Sequence, residues 1–269
     1  MPSLSESGKP DAPSQAGVFQ SIACGVDGTR AGFEATRQAA ILTSESSVLR
    51  LLAVAWETGS EASPMVELSR HRAAAALDRA RALAHDLGVR AEGTLVEGPH
   101  AAVKLLAAAS DDELLVVGSS GRSHAGGIVL GHAAAEVLRD APGSVLVARR
   151  PPAGEFLASI LHAVEDRTAS RAADEAAGHL ALRHDAVVTV LADRGADPAT
   201  HHAVAETGAG IAAITGVEPV VVDAHGRFHA AAAHEAADLG ATLIVTAGVR
   251  AERVAECARC SVLLLRRPG

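Results

Sequence analysis

The sequence predicts an α/β fold built twice in one chain, and three observations carry that expectation. Short apolar, β-rich runs alternate with long alanine-rich stretches; the same order of runs returns in the second half; and no uncharged apolar run is long enough to span a bilayer. Strands alternating with helices imply βαβ units and a parallel sheet buried on both faces. Of 269 residues 48% are apolar, enough for buried cores and too many for a disordered chain. Aromatics make up 2% (Phe19, Phe33, Trp56, Phe156 and Phe228), so the cores must be built from Ala, Val, Leu and Ile. With few stacking rings and a net charge of −8, the chain is not expected to bind nucleic acid.

Taken in order, residues 1–17 lack the basic start and apolar centre of a signal peptide, and their Ser, Pro and Gly predict a flexible tail. Phe19–Val26 is the first strand and ends at Asp27-Gly28-Thr29; Val48–Ala55 is the second and Gly93–Val96 a weaker third; Leu114–Val117 and Ser144–Ala148 follow. Helices are expected over Ala31–Leu42, Pro64–Leu87, Pro99–Ala109 and Gly131–Arg139. Thr29 suits an N-cap, Gly88 a C-terminal stop, and Pro99 an N-terminal position.

The second half repeats this order. Ser159-Ile160 stands 138 residues after Ser21-Ile22, and Ala186–Leu191 answers to Val48–Ala55. Val245 stands 129 after Val116, and Ser261–Leu265 stands 117 after Ser144–Ala148, each of these last strands running into Arg-Arg-Pro. A single matching Val/Leu run is cheap; five elements in the same order indicate a tandem duplication. The expected domains are 18–150 and 155–269, with the boundary at Pro151-Pro152-Ala153-Gly154. The offset falls by 12 between the fourth and last strands, so the second copy has lost that many residues where the first carries its glycine-rich stretch.

That stretch runs from Gly118 through Ser119, Ser120 and Gly121 to Gly131 and His132, after a strand and before a helix. In open α/β sheets ligands bind beyond the carboxyl ends of strands, at the switch in strand order. Glycines let backbone N–H groups approach an anion, and a helix starting near Gly131 adds its dipole and free N–H groups, so a phosphate suits the loop. The stretch is neither a Walker A loop nor a Gly-x-Gly-x-x-Gly fingerprint. A connecting loop whose glycines merely serve turns is the plainer reading, and composition leaves the two open.

The spacing of Gly118, Gly121 and Gly131, with two and then nine residues between, resembles the nucleotide motif of the universal stress protein family, Gly-x2-Gly-x9-Gly-Ser/Thr. The Val26-Asp27-Gly28-Thr29 turn, the Glu97-Gly98-Pro99 step and the strands Leu114–Gly118 and Ser144–Val147 are similar to that family too. The resemblance covers nearly all of Phe19–Arg150 and the second half more faintly, through its strands. It implies two doubly wound, open, parallel five-stranded sheets, each in the order 3-2-1-4-5, in a cytoplasmic regulatory protein of the stress response. It also implies ATP, with Mg2+, between the turns after strands one and four of the first domain. By position, Gly25, Val26 and Asp27 would border adenine and ribose, and Val54 would offer backbone contacts to adenine. Val117, Gly118, Ser120 and Gly121 would reach ribose and phosphates; Gly131, His132 and Ala133 would hold the phosphate tail. A nucleotide-free scaffold of the same fold and a weak ATPase are the alternatives, the latter with Asp27 as its one well-placed acid.

His132 departs from the motif, which has a hydroxyl there. A hydrogen bond to a charged group contributes roughly 1.5–3 kcal/mol, so its loss lowers affinity about ten- to a hundredfold. The backbone N–H at 132 survives, and a protonated imidazole would restore the contact. In the second copy the first turn reads Val164-Glu165-Asp166-Arg167, without the Asp-Gly, and that copy is expected to be structural.

The remaining candidates favour plain readings. Cys257-Ala258-Arg259-Cys260 lacks the second pair a zinc site needs, and it precedes a strand instead of opening a helix after one. Three cysteines make no disulfide framework and suit a reducing cytoplasm. His225 and His229 have one-face helical spacing but no acidic partner spaced to join them, which suits solvated surface better than a metal site. No nucleophile–base pair is marked. In a sheet ordered 3-2-1-4-5 the fifth strand is an edge that needs covering. The family resemblance therefore predicts a pseudo-dimer, Ser144–Ala148 antiparallel against Ser261–Leu265, with a homodimer of whole chains left open.

Overall fold

The computed structural model describes residues 18–57, 63–110, 113–119, 130–152, 154–165, 167–193, 198–248 and 250–266; the expected tail, 1–17, lies outside them. Ten strands alternate with eight helices among these residues. The first half runs β1 (Ile22–Gly25), α1 (Arg30–Leu42), β2 (Leu49–Ala55), α2 (Pro64–Asp86), β3 (Ala91–Glu97), α3 (Ala101–Ala108), β4 (Leu114–Gly118), α4 (His132–Asp140) and β5 (Val145–Ala148). The second runs β6 (Ser159–Val164), α5 (Arg167–His184), β7 (Val187–Asp193), α6 (Pro198–Thr215), β8 (Val220–Ala224), α7 (Phe228–Asp238), β9 (Leu243–Thr246), α8 (Ala251–Cys257) and β10 (Ser261–Leu264).

The strands form one sheet in the order β3-β2-β1-β4-β5-β10-β9-β6-β7-β8. Each half is parallel and ordered 3-2-1-4-5. The halves meet where β5 and β10 pair antiparallel, with Val147 opposite Val262, Leu146 opposite Leu263 and Val145 opposite Leu264. Strand burial follows this order. β5, β9 and β10 are buried along their whole length, whereas the outermost strands, β3 and β8, alternate or face solvent. That explains why β3 reads weakly in sequence: Glu92 and Thr94 stand on its exposed side, and the strand is longer than its apolar centre. β1 is shorter than expected, since Phe19 and Gln20 precede its first ladder pair.

Local chemistry sets the helix ends. Thr29 caps α1 by accepting from Gly32 N at 3.1 Å; Ser63 caps α2, with Pro64 at its first turn; Gly88, at φ +77°, follows the α2 C-cap in the left-handed conformation glycine favours. The helices cover both sheet faces. Ala35, Leu77, Ala173 and Ile211 of α1, α2, α5 and α6 pack on one face. Leu105, Val137, Phe228 and Val254 of α3, α4, α7 and α8 pack on the other. Both layers run across the β5–β10 joint without a break.

The joint is doubled by reciprocal polar contacts. Arg149 N donates to Ser261 Oγ at 3.0 Å, and Arg266 N donates to Ser144 Oγ at 3.2 Å. The Arg149 guanidinium reaches the Ala255 and Cys260 carbonyls (2.7 and 3.3 Å) in the last turn of α8 and just beyond it; that of Arg266 reaches the Leu138 and Ala141 carbonyls in the last turn of α4 and just beyond it. Each arginine thus caps a helix of the opposite half. Gln38 of α1 joins in, donating to the Arg149 carbonyl at 2.8 Å while accepting from Ser261 Oγ at 2.7 Å.

Candidate functional site

β1 has β2 on one side and β4 on the other, so the chain reverses its winding at the β1–β4 boundary, where open α/β sheets bind ligands. Asp27 leaves β1 there. Its Oδ1 accepts from Thr29 N at 2.9 Å and Thr29 Oγ1 at 2.6 Å, which fixes the turn, with Gly28 at φ +75°. Asp27 itself is exposed, and Oδ2 has no hydrogen-bond partner among the described residues. Val26 is buried and donates to the Leu52 carbonyl at 2.8 Å.

Two glycines bring the turn and the end of β4 together. A methyl group on Gly118 would overlap the Ala31 carbonyl and stand 2.9 Å from Gly32 N; one on Gly32 would overlap the Asp27 carboxylate. The end of β4 therefore rests on the first turn of α1, beside Asp27. Gly118 was expected on sequence grounds and Gly32 was not. The signal for Gly32 was a glycine inside the first turn of an otherwise regular helix, where it costs about 1 kcal/mol relative to Ala.

The other expected residues fall around this point as follows. Gly25 ends β1, and a methyl there would press on Leu105 of α3 at 3.0 Å. Val117, the residue before Gly118 in β4, is buried. Val54 overhangs β1: the β1–β2 pairing stops at Gly25–Leu52, while β2–β3 pairing continues to Ala55–Glu97. Gly131 is the N-cap of α4, with no side chain capping it, and His132 and Ala133 open the helix. The His132 imidazole is 90% exposed and lies 3.3 Å from Glu136 Oε1, one turn along α4. Ser120 and Gly121 lie outside the described residues. Trp56 is 45% exposed after β2, and its backbone N–H donates to Ser69 Oγ at 2.7 Å. Lys104, which the sequence reading passed over, lays its side chain across Gly98, where a methyl would collide with it; this puts an ammonium beyond the end of β3.

The second half differs at the matching place. β6 and β9 are neighbours as β1 and β4 are. Glu165 follows β6 with its side chain 6% exposed, accepting from Arg250 N at 3.0 Å and Arg250 Nε at 3.1 Å. An ion pair spans from the β6 turn to the start of α8, and Gly248 packs against it, a methyl there standing 2.9 Å from Glu165 Oε2.

The other sequence candidates separate. His225 lies in the turn before α7, its Nδ1 3.0 Å from the Asp223 carbonyl, so it does not share a helix face with His229 as the spacing suggested. The turn at Gly226, φ +85°, ends the helical periodicity between them. Among the described residues no His, Cys, Asp and Glu cluster could hold a metal ion. Cys257 is exposed at the end of α8; Cys260 is buried, which pushes its thiol up to about 11, and burial pushes Cys24 up to about 12, so both stay protonated. No helix among the described residues is long and apolar enough to cross a membrane.

Residues 19–149 match the sequence profile of the universal stress protein family. Among solved structures, a universal stress protein from Archaeoglobus fulgidus DSM 4304 superposes with a TM-score of 0.76 at 18% identity, over 93% of this chain and 100% of that one. A functionally unknown protein from Pseudomonas aeruginosa PAO1 superposes with a TM-score of 0.62 at 18% identity, over 94% of each chain. These likenesses speak for the fold over both halves. No curated protein matches in sequence.

Proposed function

The chain belongs, through residues 19–149, to the universal stress protein family; from that premise we propose that it binds ATP once, in the first half, and acts as a nucleotide-responsive regulator in the stress response. The observation that carries this reading is the meeting of Asp27 and Gly118 on the first turn of α1, at the switch in strand order. Gly25, Val26 and Asp27 would border adenine and ribose, with the overhanging backbone of Val54 alongside. Val117, Gly118, Ser120 and Gly121 would reach toward the phosphates. The uncapped N–H groups of the α4 start at Gly131, His132 and Ala133 would take the phosphate tail. The free oxygen of Asp27 suits a ribose hydroxyl or Mg2+, whose role would be to neutralise phosphate charge. The Glu165–Arg250 ion pair supports a single site, because it fills the matching place in the second half.

Calorimetry on the full chain tests the reading. ATP is expected to bind with a stoichiometry of one, and Gly131→Val to abolish binding while leaving the unfolding transition in place. Two ATP sites of equal affinity per chain, or binding indifferent to Gly131→Val, would refute it. Steady turnover of ATP with magnesium would replace the regulatory reading with an ATPase.

A further inference from the structure

The second half carries a basic cleft at the carboxyl edge of its sheet, and we infer that it is a second, independent site for a small phosphate-bearing anion. The cleft is about 330 Å³ and is lined by Gly226, Arg227, Phe228, His229, Arg250 and Arg253. Three guanidiniums and an imidazole gather there in a chain whose net charge is −8.

Their charges are unevenly balanced. Arg250 is held in place from behind by Glu165, through both its backbone N and its Nε, with Asp193 Oδ2 3.9 Å from Nη1. Arg227 and Arg253 have no carboxylate partner among the described residues and are exposed. Two exposed guanidiniums without a carboxylate partner among the described residues, lining one cleft beside a third that is anchored, give it a positive local potential that attracts an anion. The planar fork of arginine takes two oxygens at a time, and a phosphate group has enough oxygens and charge to engage more than one fork at once, which a single carboxylate has not. Phe228, the aromatic residue of the lining, is buried as its floor, so no ring is presented to stack on a base and the phosphate is what the cleft reads. The start of α7, capped by no side chain at Arg227, adds its dipole to the same cleft.

This site is separate from the one proposed for ATP. By the offset of the last strands, Arg250 and Arg253 stand where Ala133 and Glu136 stand in the first half. The half that lost the glycine-rich stretch thus sets side-chain cations at the start of its last helix, where the first half presents backbone N–H groups.

Calorimetry with pyrophosphate and inorganic phosphate as probes tests the inference on the full-length Gly131→Val chain, which removes the first site from the reading. Saturable binding of pyrophosphate at one site is expected, weakened at least tenfold by Arg227→Ser with Arg253→Ser and by raised salt. The same double substitution in the otherwise unaltered chain should leave ATP binding at one site unchanged, so failure here is distinct from failure of the ATP reading. Both arginines are exposed, and the unfolding transition should not move. Absence of pyrophosphate binding at millimolar concentration, equal binding by the double variant, or equal binding of citrate would overturn the phosphate site.

Discussion

Gly118 shows how one residue answers to two demands. Its place in the spaced glycines suggests close approach to a phosphate, and its surroundings add a reason that no spacing reveals: the Ala31 carbonyl lies where a methyl group would go. Because that neighbour is backbone in the first turn of α1, it cannot swing aside as a side chain would. Gly118→Ala is therefore expected to cost about 1–3 kcal/mol of stability in urea unfolding, and to weaken ATP by pulling β4 away from Asp27. His132→Ser makes the opposite case. The imidazole is exposed beside Glu136, and such an i,i+4 surface pair contributes only about 0.3–0.5 kcal/mol. A serine there loses little and restores a hydroxyl at the helix start, so ATP affinity should hold or tighten in calorimetry. A tenfold weakening would make the imidazole itself a phosphate ligand.

At the scale of elements, the repeated Arg-Arg-Pro after β5 and β10 was visible in the sequence, but the burial of its first arginine was not. A charged residue after a strand reads as a solvent-facing end, and only the opposite half supplies the helix C-terminus that Arg149 and Arg266 cap. The turn glycines, the Thr29 cap and the interior strands were legible because their causes are local; the contact of Gly32 with the end of β4 and the Glu165–Arg250 bridge were not, because their partners are distant in sequence. The two arginine caps also differ. Arg266 has Glu252 at 3.0 Å, whereas the residue matching Glu252 in the first half is Ala135, so among the described residues Arg149 has no carboxylate and its Nε no partner. Burial pulls the Arg149 guanidinium down to about 10. Since the unfolded chain holds that proton more tightly, the cost of burying the cation is present at neutral pH and is relieved only as pH rises through about 10. Ala135→Glu should supply the missing counter-charge and raise thermal stability by about 1 kcal/mol near neutral pH. The gain should vanish when Arg149→Met is added; a gain that persists would mean the new carboxylate acts elsewhere.

For the whole molecule, the pairing of β5 with β10 turns two open sheets into one and makes the edge of each half an interior strand. β5 lies between β4 and β10, and β10 between β5 and β9, so each carries ladder bonds on both sides. The apolar layers also run through the joint, with Leu146 and Leu263 in the same cluster as Ala35 and Leu180 from opposite halves. A copy that has lost its glycine-rich stretch still has a structural role, because it covers an edge that would otherwise expose Val145, Leu146 and Val147 and their unpaired backbone groups. Two consequences can be measured together. The chain should unfold in a single transition, since neither half completes its core alone. Leu146→Pro or Leu263→Pro should each cost about 3 kcal/mol or more, because a proline in an interior strand removes a ladder donor whichever neighbour it faces. If the two halves unfold in separate steps, and either proline variant keeps the stability of the unaltered chain, the joint does not hold the molecule together and the second copy must be retained for its arginine cleft alone.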